Sequence, residues 1–414
     1  MRVLFGIDTW GLVGGTERYA AVVIPALIER GHEVVVLCRE AHEPDFGPGL
    51  DRVPVIVDPE LGGEGLSPDA ERGLRARARD AEPDVIFMQV ARNLGALAAL
   101  ADTAPLVRFV HDHTLFCPGL NKYREDGELC TRPMGLECLS RYYLSSGCVC
   151  FKPAVHQNRW LDPLRALRAK YRELAINRRA AGLVTNSDYM RGELLAVGFD
   201  PGRVVALPMF TRSNTEAQPA GELPAATEDF LAGPEIPLVF TPARLTLPDK
   251  GVDYLLTALT GVRAEFRAVI AGTGPAEDWL RRKATEEGLG DRVHFTGWLD
   301  QGGVEALYAR AAVVVCPSVW NEPFGLVGLE AMAHSRPVAA FAVGGVPEWL
   351  TDGETGFLAP RRDTAALGAA VERLLRDPEL AARLGRGGRR SLETRFSRER
   401  HMDLLEDVLV RATA

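Results

Sequence analysis

Short apolar runs alternate with longer amphipathic stretches along the first half of the chain. The apolar runs that we predict as buried strands are 2–8, 33–38, 84–89, 106–110, 182–186 and 204–207. The amphipathic stretches that we predict as helices are 17–30, 69–80, 94–101, 160–179 and 189–197. Strands that alternate with helices are typical of a doubly wound α/β domain with a parallel sheet.

A second alternating series predicts another domain of the same kind. Its predicted strands are 238–240, 266–271, 293–296, 312–316, 338–341 and 356–360. Its predicted helices are 252–259, 276–287, 304–310, 326–333 and 363–375, and a last helix is predicted at 396–410. Residues 211–237 are mostly Pro, Ala, Gly, Thr, Ser and Glu without periodicity, and this composition predicts a linker.

The bulk composition agrees with a soluble globular protein of about two domains. A chain of 414 residues is longer than one hydrophobic core usually supports. A net charge of −8 argues against nucleic acid as the main partner. No apolar run approaches about 18 residues, and a strand is predicted directly after Met1 without a signal peptide. We therefore predict a cytoplasmic protein.

The stretch 321–330 carries the strongest candidate chemistry. It joins a predicted strand to a predicted helix, so the backbone N–H groups of residues 324–327 (Phe324, Gly325, Leu326 and Val327) can hold a phosphate. Glu330 lies about one turn deeper, where its carboxylate suits the diol of a ribose. Glu322 lies on the loop side and would face a sugar on the far phosphate. This order predicts a nucleotide sugar, although a solvated helix face gives two such glutamates as well.

Two cations and a glycine turn precede this stretch. Arg244 and Lys250 follow a predicted strand, and a guanidinium with an ammonium there would offset the charges of a departing diphosphate. Residues 271–275 look like a dinucleotide fingerprint, but Glu277 occupies the position of the third Gly, which disfavours NAD. The chain has no Asp-x-Asp pair to bridge a divalent metal to the diphosphate.

The strand, Pro-Phe-Gly loop and helix around Glu322 and Glu330 resemble the signature of the retaining glycosyltransferases of family four. The resemblance implies the GT-B architecture, in which two Rossmann-like doubly wound α/β domains face a cleft. It implies an acceptor-side domain at 1–212, a linker at 213–236, a nucleotide-sugar domain at 237–396 and a terminal helix at 397–414 that returns to the first domain. Ala243 occupies a position where the family usually has Gly.

The resemblance also assigns roles to single residues. Arg244 and Lys250 match the family's Gly-Arg-Leu and Lys-Gly elements. Gly272 belongs to the family's Gly-x-Gly-Pro turn, and Leu299 would lie near the nucleobase. Gly14 and Gly15 would lie against the donor phosphates or the acceptor, although a tight turn explains them equally. His111 would contact the donor sugar, with Asp112 beside it. The donor-binding prediction comprises Gly14, Gly15, Arg244, Lys250, Gly272, Leu299, Phe324, Gly325, Leu326, Val327 and Glu330.

The implied function is transfer of a sugar from a nucleoside-diphosphate sugar with retention of configuration. Glu322, His111, Lys250 and Arg244 form the predicted catalytic set, in which Glu322 stabilises positive charge at the anomeric carbon. No cofactor is predicted for catalysis, and the leaving group would be stabilised without metal. The acceptor, whether a saccharide, a natural product or a lipid-linked molecule, is not predicted. The alternative is a non-catalytic partner subunit that binds a nucleotide sugar.

Cysteines cluster in an insertion at 113–158 of the first predicted domain. Of seven cysteines, five lie between Cys117 and Cys150. Clustered thiols in a cytosolic chain favour a metal, so we predict structural zinc on Cys117, Cys130, Cys138 and Cys148, with Cys150 left over. Their spacing lacks paired Cys-x-x-Cys knuckles, and disulfides, redox activity or unlinked thiols remain alternatives.

The predicted helix at 160–179 has one apolar stripe and an otherwise basic surface. Such a helix can lie on an anionic membrane, but it more often packs its stripe on a core and exposes its charges to solvent. A weak peripheral membrane contact therefore remains a minor prediction.

Overall fold

A computed structural model describes residues 1–11, 15–42, 50, 52–63, 65–90, 92–118, 122–124, 127–144, 161–211 and 221–414. The chain forms two compact units. One unit comprises Met1–Leu207 together with Glu399–Ala414, and the other comprises Pro208–Arg398. Gly14 and Cys148, which have predicted roles, lie outside the described residues, as does Cys150.

The first unit contains a parallel sheet, seven-stranded within the described residues, in the order β3-β2-β1-β4-β5-β6-β7. Its strands are β1 (Arg2–Trp10), β2 (Glu33–Ala41), β3 (Val55–Val57), β4 (Val85–Met88), β5 (Leu106–Val110), β6 (Gly182–Thr185) and β7 (Val204–Ala206). Its helices up to residue 207 are α1 (Gly15–Glu29), α2 (Pro68–Asp80), α3 (Leu94–Ala101), α4 (Glu137–Leu144), α5 (Asp162–Asn177) and α6 (Asp188–Ala196).

The second unit contains a parallel sheet, six-stranded within the described residues, in the order β10-β9-β8-β11-β12-β13. Its strands are β8 (Leu238–Pro242), β9 (Arg267–Ala271), β10 (Val293–Gly297), β11 (Ala311–Cys316), β12 (Val338–Phe341) and β13 (Gly356–Ala359). Its helices are α7 (Ala225–Leu231), α8 (Val252–Thr260), α9 (Glu277–Glu286), α10 (Gln301–Arg310), α11 (Leu326–Ala333), α12 (Val346–Trp349), α13 (Thr364–Arg376) and α14 (Pro378–Arg395).

The central strands of both sheets lie in the core of their unit. Every residue of β4, β6 and β12 is buried, because helices cover both faces of a parallel sheet. This full burial explains why the strands read in the sequence as continuous apolar runs. The predicted α/β class with two doubly wound sheets is confirmed.

The segment predicted as a linker differs from its prediction. Its residues 225–231 form α7, although their composition lacks a clear helical period. Thr227 is fully buried, and its hydroxyl lies 3.1 Å from Nε2 of His294 in β10. A short helix held by tertiary contacts does not need a strong sequence pattern, so composition alone was a poor guide here.

The last helix, α15 (Arg398–Thr413), packs against α1 and its following turn. Nη1 of Arg30 lies 2.7 Å from Oδ1 of Asp403, and Nε2 of His32 lies 2.8 Å from Oε1 of Glu406. His401 is fully buried at this contact. Ion pairs and a buried side chain thus fix α15 in the first unit.

Candidate active site

Two loops diverge at the carboxyl edge of the second sheet. β8 and β11 are neighbours although β9 and β10 lie between them in sequence, so the strand order reverses here. Open α/β sheets bind ligands at such a point because the diverging loops leave a crevice. Arg244 and Lys250 follow β8, and Glu322 follows β11. The predicted cations and the predicted carboxylate therefore lie at one edge of one sheet.

Lys250 and Glu322 form an ion pair at this edge. Nζ of Lys250 donates to Oε2 of Glu322 over 3.0 Å, and the indole Nε1 of Trp320 donates to the same oxygen over 2.8 Å. The ammonium lies 5.3 Å from the centre of the Trp320 ring, within the range of a cation–π contact. Only 18% of the Lys250 side chain and 13% of the Glu322 side chain are exposed. Lys250 and Trp320 thus help to hold the Glu322 carboxylate in place.

Two glycines let the backbone pack tightly around this ion pair. Gly251 has φ 65°, and a Cβ there would lie 1.9 Å from the carbonyl oxygen of Pro317. Gly344 has φ 51°, and a Cβ there would lie 2.1 Å from the carbonyl oxygen of Glu322. Neither position accepts a side chain without a shift of the backbone. Backbone packing therefore sets where Lys250 and Glu322 lie.

The pKa of the Glu322 carboxyl is lowered. Burial alone would raise this pKa, but the charge of Lys250 and hydrogen bonds from Lys250, Trp320 and Ser318 outweigh burial. The carboxyl is therefore ionised at neutral pH. A fixed, partly desolvated carboxylate can stabilise positive charge that develops beside it.

α11 begins at Leu326, four residues after Glu322, with Gly325 at its N-cap. Gly325 has φ 95° and offers no capping side chain, so it leaves the first amide groups of the helix to other acceptors. The buried Trp349 supports this turn, since its Nε1 donates to the carbonyl oxygen of Phe324 over 2.6 Å. The N–H groups of Leu326 and Val327 lie at the positive end of the helix dipole, which suits a phosphate.

Glu330 lies one turn further along α11. Its Oε2 accepts a hydrogen bond of 2.8 Å from the hydroxyl of Tyr308. Tyr308 is fully buried in α10, and its hydroxyl also lies 3.2 Å from the carbonyl oxygen of Val327. One buried tyrosine thus orients both this carboxylate and the first turn of α11.

The remaining predicted residues of this edge have different surroundings. Arg244 is exposed, so a ligand can reach its guanidinium. Gly272 packs against the residue that follows β8, since a Cβ there would lie 2.0 Å from the carbonyl oxygen of Ala243. Its N–H donates to the carbonyl oxygen of Gly297 over 2.8 Å. Leu299 is partly buried. The glycine turn therefore has a packing role, and its contact with a donor stays a prediction.

His111 follows β5 in the first unit. Its ring stacks on Phe109 with 4.0 Å between the centroids, and its Nε2 lies 3.0 Å from Oε1 of Gln89. Burial and the positive charge of Arg108 lower the pKa of His111 to about 3, against the opposing effect of Asp112. The imidazole is therefore neutral at physiological pH and can act through hydrogen bonds rather than through charge.

The other residues predicted in the first unit lie at turns. Gly15 is the exposed first residue of α1, and Gly14 lies outside the described residues. Asp112 is exposed and accepts a hydrogen bond of 2.8 Å from the backbone N–H of Thr114. This bond gives Asp112 a capping role that needs no ligand.

Comparisons with known proteins identify the family. The model for glycosyl transferases group 1 matches residues 229–391, and the model for a glycosyl transferase 4-like domain matches residues 14–209. Alpha-maltose-1-phosphate synthase of Mycobacterium tuberculosis is 30% identical over 336 residues, which cover 68% of this chain and 84% of that protein. The chain belongs to the glycosyl transferases group 1 family.

One further sequence relative is similar to this group 1 family member, and one solved structure shares its fold. Alpha-D-kanosaminyltransferase of Streptomyces kanamyceticus is 33% identical over 261 residues, or 61% of this chain, and the chain spans 64% of that relative's length. The crystal structure of Anabaena HepE in complex with UDP has a TM-score of 0.68 and 20% identity, and the match covers 99% of this chain and 100% of that one. The structural likeness confirms the predicted GT-B fold.

The cysteine-rich insertion of this group 1 family member is described in part. Cys117 is buried, and Cys130 and Cys138 are partly buried. Nowhere in the described part of the chain do three or more His, Cys, Asp or Glu side chains group as metal ligands. Structural zinc stays a prediction because Cys148, its fourth predicted ligand, lies outside that part. A buried ion pair of Lys122 with Glu193 in α6 holds the insertion to the first unit.

Helix α5 has an apolar stripe and a basic surface, and its Lys170 makes contacts inside the protein. Leu167 and Leu174 are buried, while Leu164 and Tyr171 are exposed. Lys170 contacts Oε2 of Glu173 over 2.5 Å and donates to the carbonyl oxygen of Thr114. Among the described helices, none has the length and apolar composition that a bilayer crossing requires. Peripheral membrane contact stays a prediction.

Sequence reasoning missed the side chains that hold the site residues. Trp320 lies two positions before Glu322 in the same loop, and Gln89 ends a predicted strand at the edge where ligands bind, so both gave a usable signal. Tyr308 and Trp349 gave none, because in the sequence they resemble ordinary apolar positions of a helix and of a loop.

Proposed function

We propose that this protein transfers a sugar from a nucleoside-diphosphate sugar to an acceptor hydroxyl with retention of the anomeric configuration. The observation that carries the proposal is the Lys250–Glu322 ion pair, 3.0 Å long, directly before the start of α11. From Glu322 through the N-terminus of α11 to Glu330, this stretch offers in order groups that suit a sugar, a diphosphate and a ribose.

The proposed reaction breaks the bond between the anomeric carbon and an oxygen of the diphosphate. The electron pair leaves with the diphosphate, so positive charge develops on the sugar and negative charge on the leaving group. Glu322 stabilises the positive charge, and Lys250, Arg244 and the amides of α11 stabilise the negative charge. The acceptor oxygen attacks from the face that the diphosphate leaves, and its proton passes to the departing phosphate oxygen.

We also propose that departure of the diphosphate needs no metal ion. An ammonium, a guanidinium and a helix N-terminus supply positive charge on the same sheet edge. His111 is proposed to contact the donor sugar, on the basis of its match to the family's His-Asp pair, and no cofactor is proposed.

The main rival is a partner subunit that binds a nucleotide sugar without turnover. Such a protein needs α11 and Glu330 for binding, but not a buried ion pair in front of the helix. A desolvated pair costs free energy unless other groups satisfy it, and here Trp320 donates to the same carboxylate oxygen. A catalytic role explains why a buried ion pair lies in front of α11, whereas nucleotide binding alone does not.

The test is a panel of UDP, GDP, ADP and dTDP sugars followed by NMR, with water and simple polyols as acceptors. The proposal predicts that at least one donor is consumed, that the product keeps the anomeric configuration, and that EDTA leaves the rate unchanged. Binding of a nucleotide without consumption of any donor would favour the partner subunit. An inverted product would contradict retention, and loss of activity in EDTA that Mn²⁺ or Mg²⁺ restores would contradict the metal-independent step.

A further inference from the structure

The ring of His111 is enclosed on three sides by side chains of the first unit. Phe109 stacks on it at 4.0 Å between centroids, and Oε1 of Gln89 lies 3.0 Å from its Nε2. The ring of Tyr19 meets it edge-on, with 6.1 Å between centroids. We call Gln89, Phe109 and Tyr19 the His111 clamp.

Tyr19 connects this clamp to the last helix of the chain. It lies in α1, is 7% exposed, and its hydroxyl lies 2.7 Å from Nε2 of His401 in α15. The two rings also meet edge-on at 5.4 Å between centroids. The side chain of Tyr19 therefore contacts both His401 in α15 and His111, although these two histidines are far apart in sequence.

We propose that Tyr19 is a positioning residue for His111 and that α15 sets the orientation of His111 through the hydrogen bond between His401 and Tyr19. The proposal rests on the proposed function, in which His111 contacts the donor sugar. It gives the terminal helix a role in the reaction in addition to its role in packing.

The physical reason is the cost of a buried hydroxyl without a partner. The Tyr19 hydroxyl keeps its hydrogen bond to His401 only while the ring keeps its present orientation, and that orientation turns the ring edge toward His111. Loss of this bond removes a polar contact that holds the Tyr19 ring in its orientation against the imidazole. A small displacement of a group that positions a substrate can lower the rate strongly.

Gln89 adds a second constraint on the imidazole. It is 1% exposed, and its amide oxygen can only accept, so Nε2 of His111 carries the proton in this arrangement. Nδ1 then has a lone pair and can accept a hydrogen bond from a sugar hydroxyl. The clamp thus fixes both the plane and the tautomer of His111.

The chain offers a matched control for this proposal. Arg30 and His32 hold α15 through Glu406, at 3.0 Å and 2.8 Å, and this ion-pair site is separate from the hydrogen bond between His401 and Tyr19. Glu406→Gln weakens the docking of α15 at this point and leaves Tyr19 and His401 in place. Tyr19→Phe removes only the hydroxyl and keeps the aromatic edge beside His111.

The experiment compares Tyr19→Phe and Glu406→Gln with the parent by NMR of ¹⁵N-labelled histidine, with the His111 signal assigned by its loss in His111→Ala. In the parent, we expect the tautomer protonated at Nε2. Tyr19→Phe should shift or split the His111 ring signals and lower donor turnover about tenfold, with the nucleotide Kd unchanged. Glu406→Gln should leave both the signals and the turnover within about twofold of the parent.

Parent-like His111 signals and turnover in Tyr19→Phe would overturn the link to α15. Equal changes in both variants would also overturn it, because they would report general loosening of α15. A parent tautomer protonated at Nδ1 would overturn the role of Gln89. The NMR result judges the clamp even if no donor is consumed, an outcome that would contradict only the proposed function.

Discussion

The carboxyl edges of the two sheets present different chemistry on similar backbones. At the edge of the second sheet, Lys250 and Glu322 form a charged pair, and the pKa of Glu322 is lowered. At the edge of the first sheet, His111 is neutral, with a pKa of about 3, between aromatic and amide side chains. One strand order thus supports a charged site and an uncharged site.

This difference shows which physical effect each edge depends on. The ion pair of the second edge is placed by backbone packing at Gly251 and Gly344, and in the proposed reaction it acts through its charges. The His111 clamp is placed by side-chain contacts, and in our proposal it acts through shape and hydrogen bonds. Removal of charge should therefore impair the second edge most, whereas changes of shape should impair the first.

Lys250→Met should have the largest effect. The variant leaves the Glu322 carboxylate without its cation and the leaving group without an ammonium, and we expect turnover to fall about 100-fold to 1,000-fold. Without Lys250, burial should raise the pKa of Glu322, so the acid limb of the rate profile should move to higher pH. Rate profiles between pH 4 and 8 measure both effects. An acid limb at the parent's pH would contradict this role of Lys250.

The lowered pKa of Glu322 also determines how the free energy of unfolding changes with pH. Because folding lowers the pKa of Glu322, its charged form contributes stability above its ordinary pKa, and this contribution is lost as the pH falls through the lowered value. Lys250→Met should remove this contribution. Arg244→Ala is the matched comparison, since Arg244 is exposed, and turnover should fall only about tenfold.

Glu330→Ala should have a smaller effect, and on binding rather than on turnover. The variant loses the carboxylate that we propose for the ribose, so the Kd of the nucleotide should rise about fivefold to tenfold by calorimetry. Tyr308→Phe keeps the carboxylate but removes the hydroxyl that orients it, and the Kd should rise about twofold. An unchanged Kd in both variants would exclude Glu330 from the nucleotide site.

The sequence predicted those elements well whose burial produces a hydrophobic pattern. It predicted poorly those elements that tertiary packing stabilises without such a pattern. Strands such as β11 and β12 were predicted because both faces are covered. Helix α14 was missed although Asp377 caps it, because its glycines lower helix propensity. These glycines allow close packing: a Cβ at Gly385 would lie 1.9 Å from the carbonyl oxygen of Ser335.

Residue types of the candidate site were predictable, but their contacts were not. Motif and position indicated Glu322 and Lys250 separately. Their ion pair joins residues 72 positions apart and depends on how two loops pack at the sheet edge. The contribution of Trp320 and the enclosure of His111 by Tyr19 depend on tertiary packing in the same way, and no local pattern encodes them.

Glu322→Gln tests the central claim most directly, because it removes the charge and preserves the shape. The account predicts that turnover falls about 100-fold or more while the nucleotide Kd stays within about twofold of the parent, since the lost stabilisation belongs mainly to the transition state. Single-turnover kinetics and calorimetry on the same preparation measure the two quantities. Parent-like turnover in Glu322→Gln, or a loss of nucleotide affinity equal to the loss of turnover, would contradict the account.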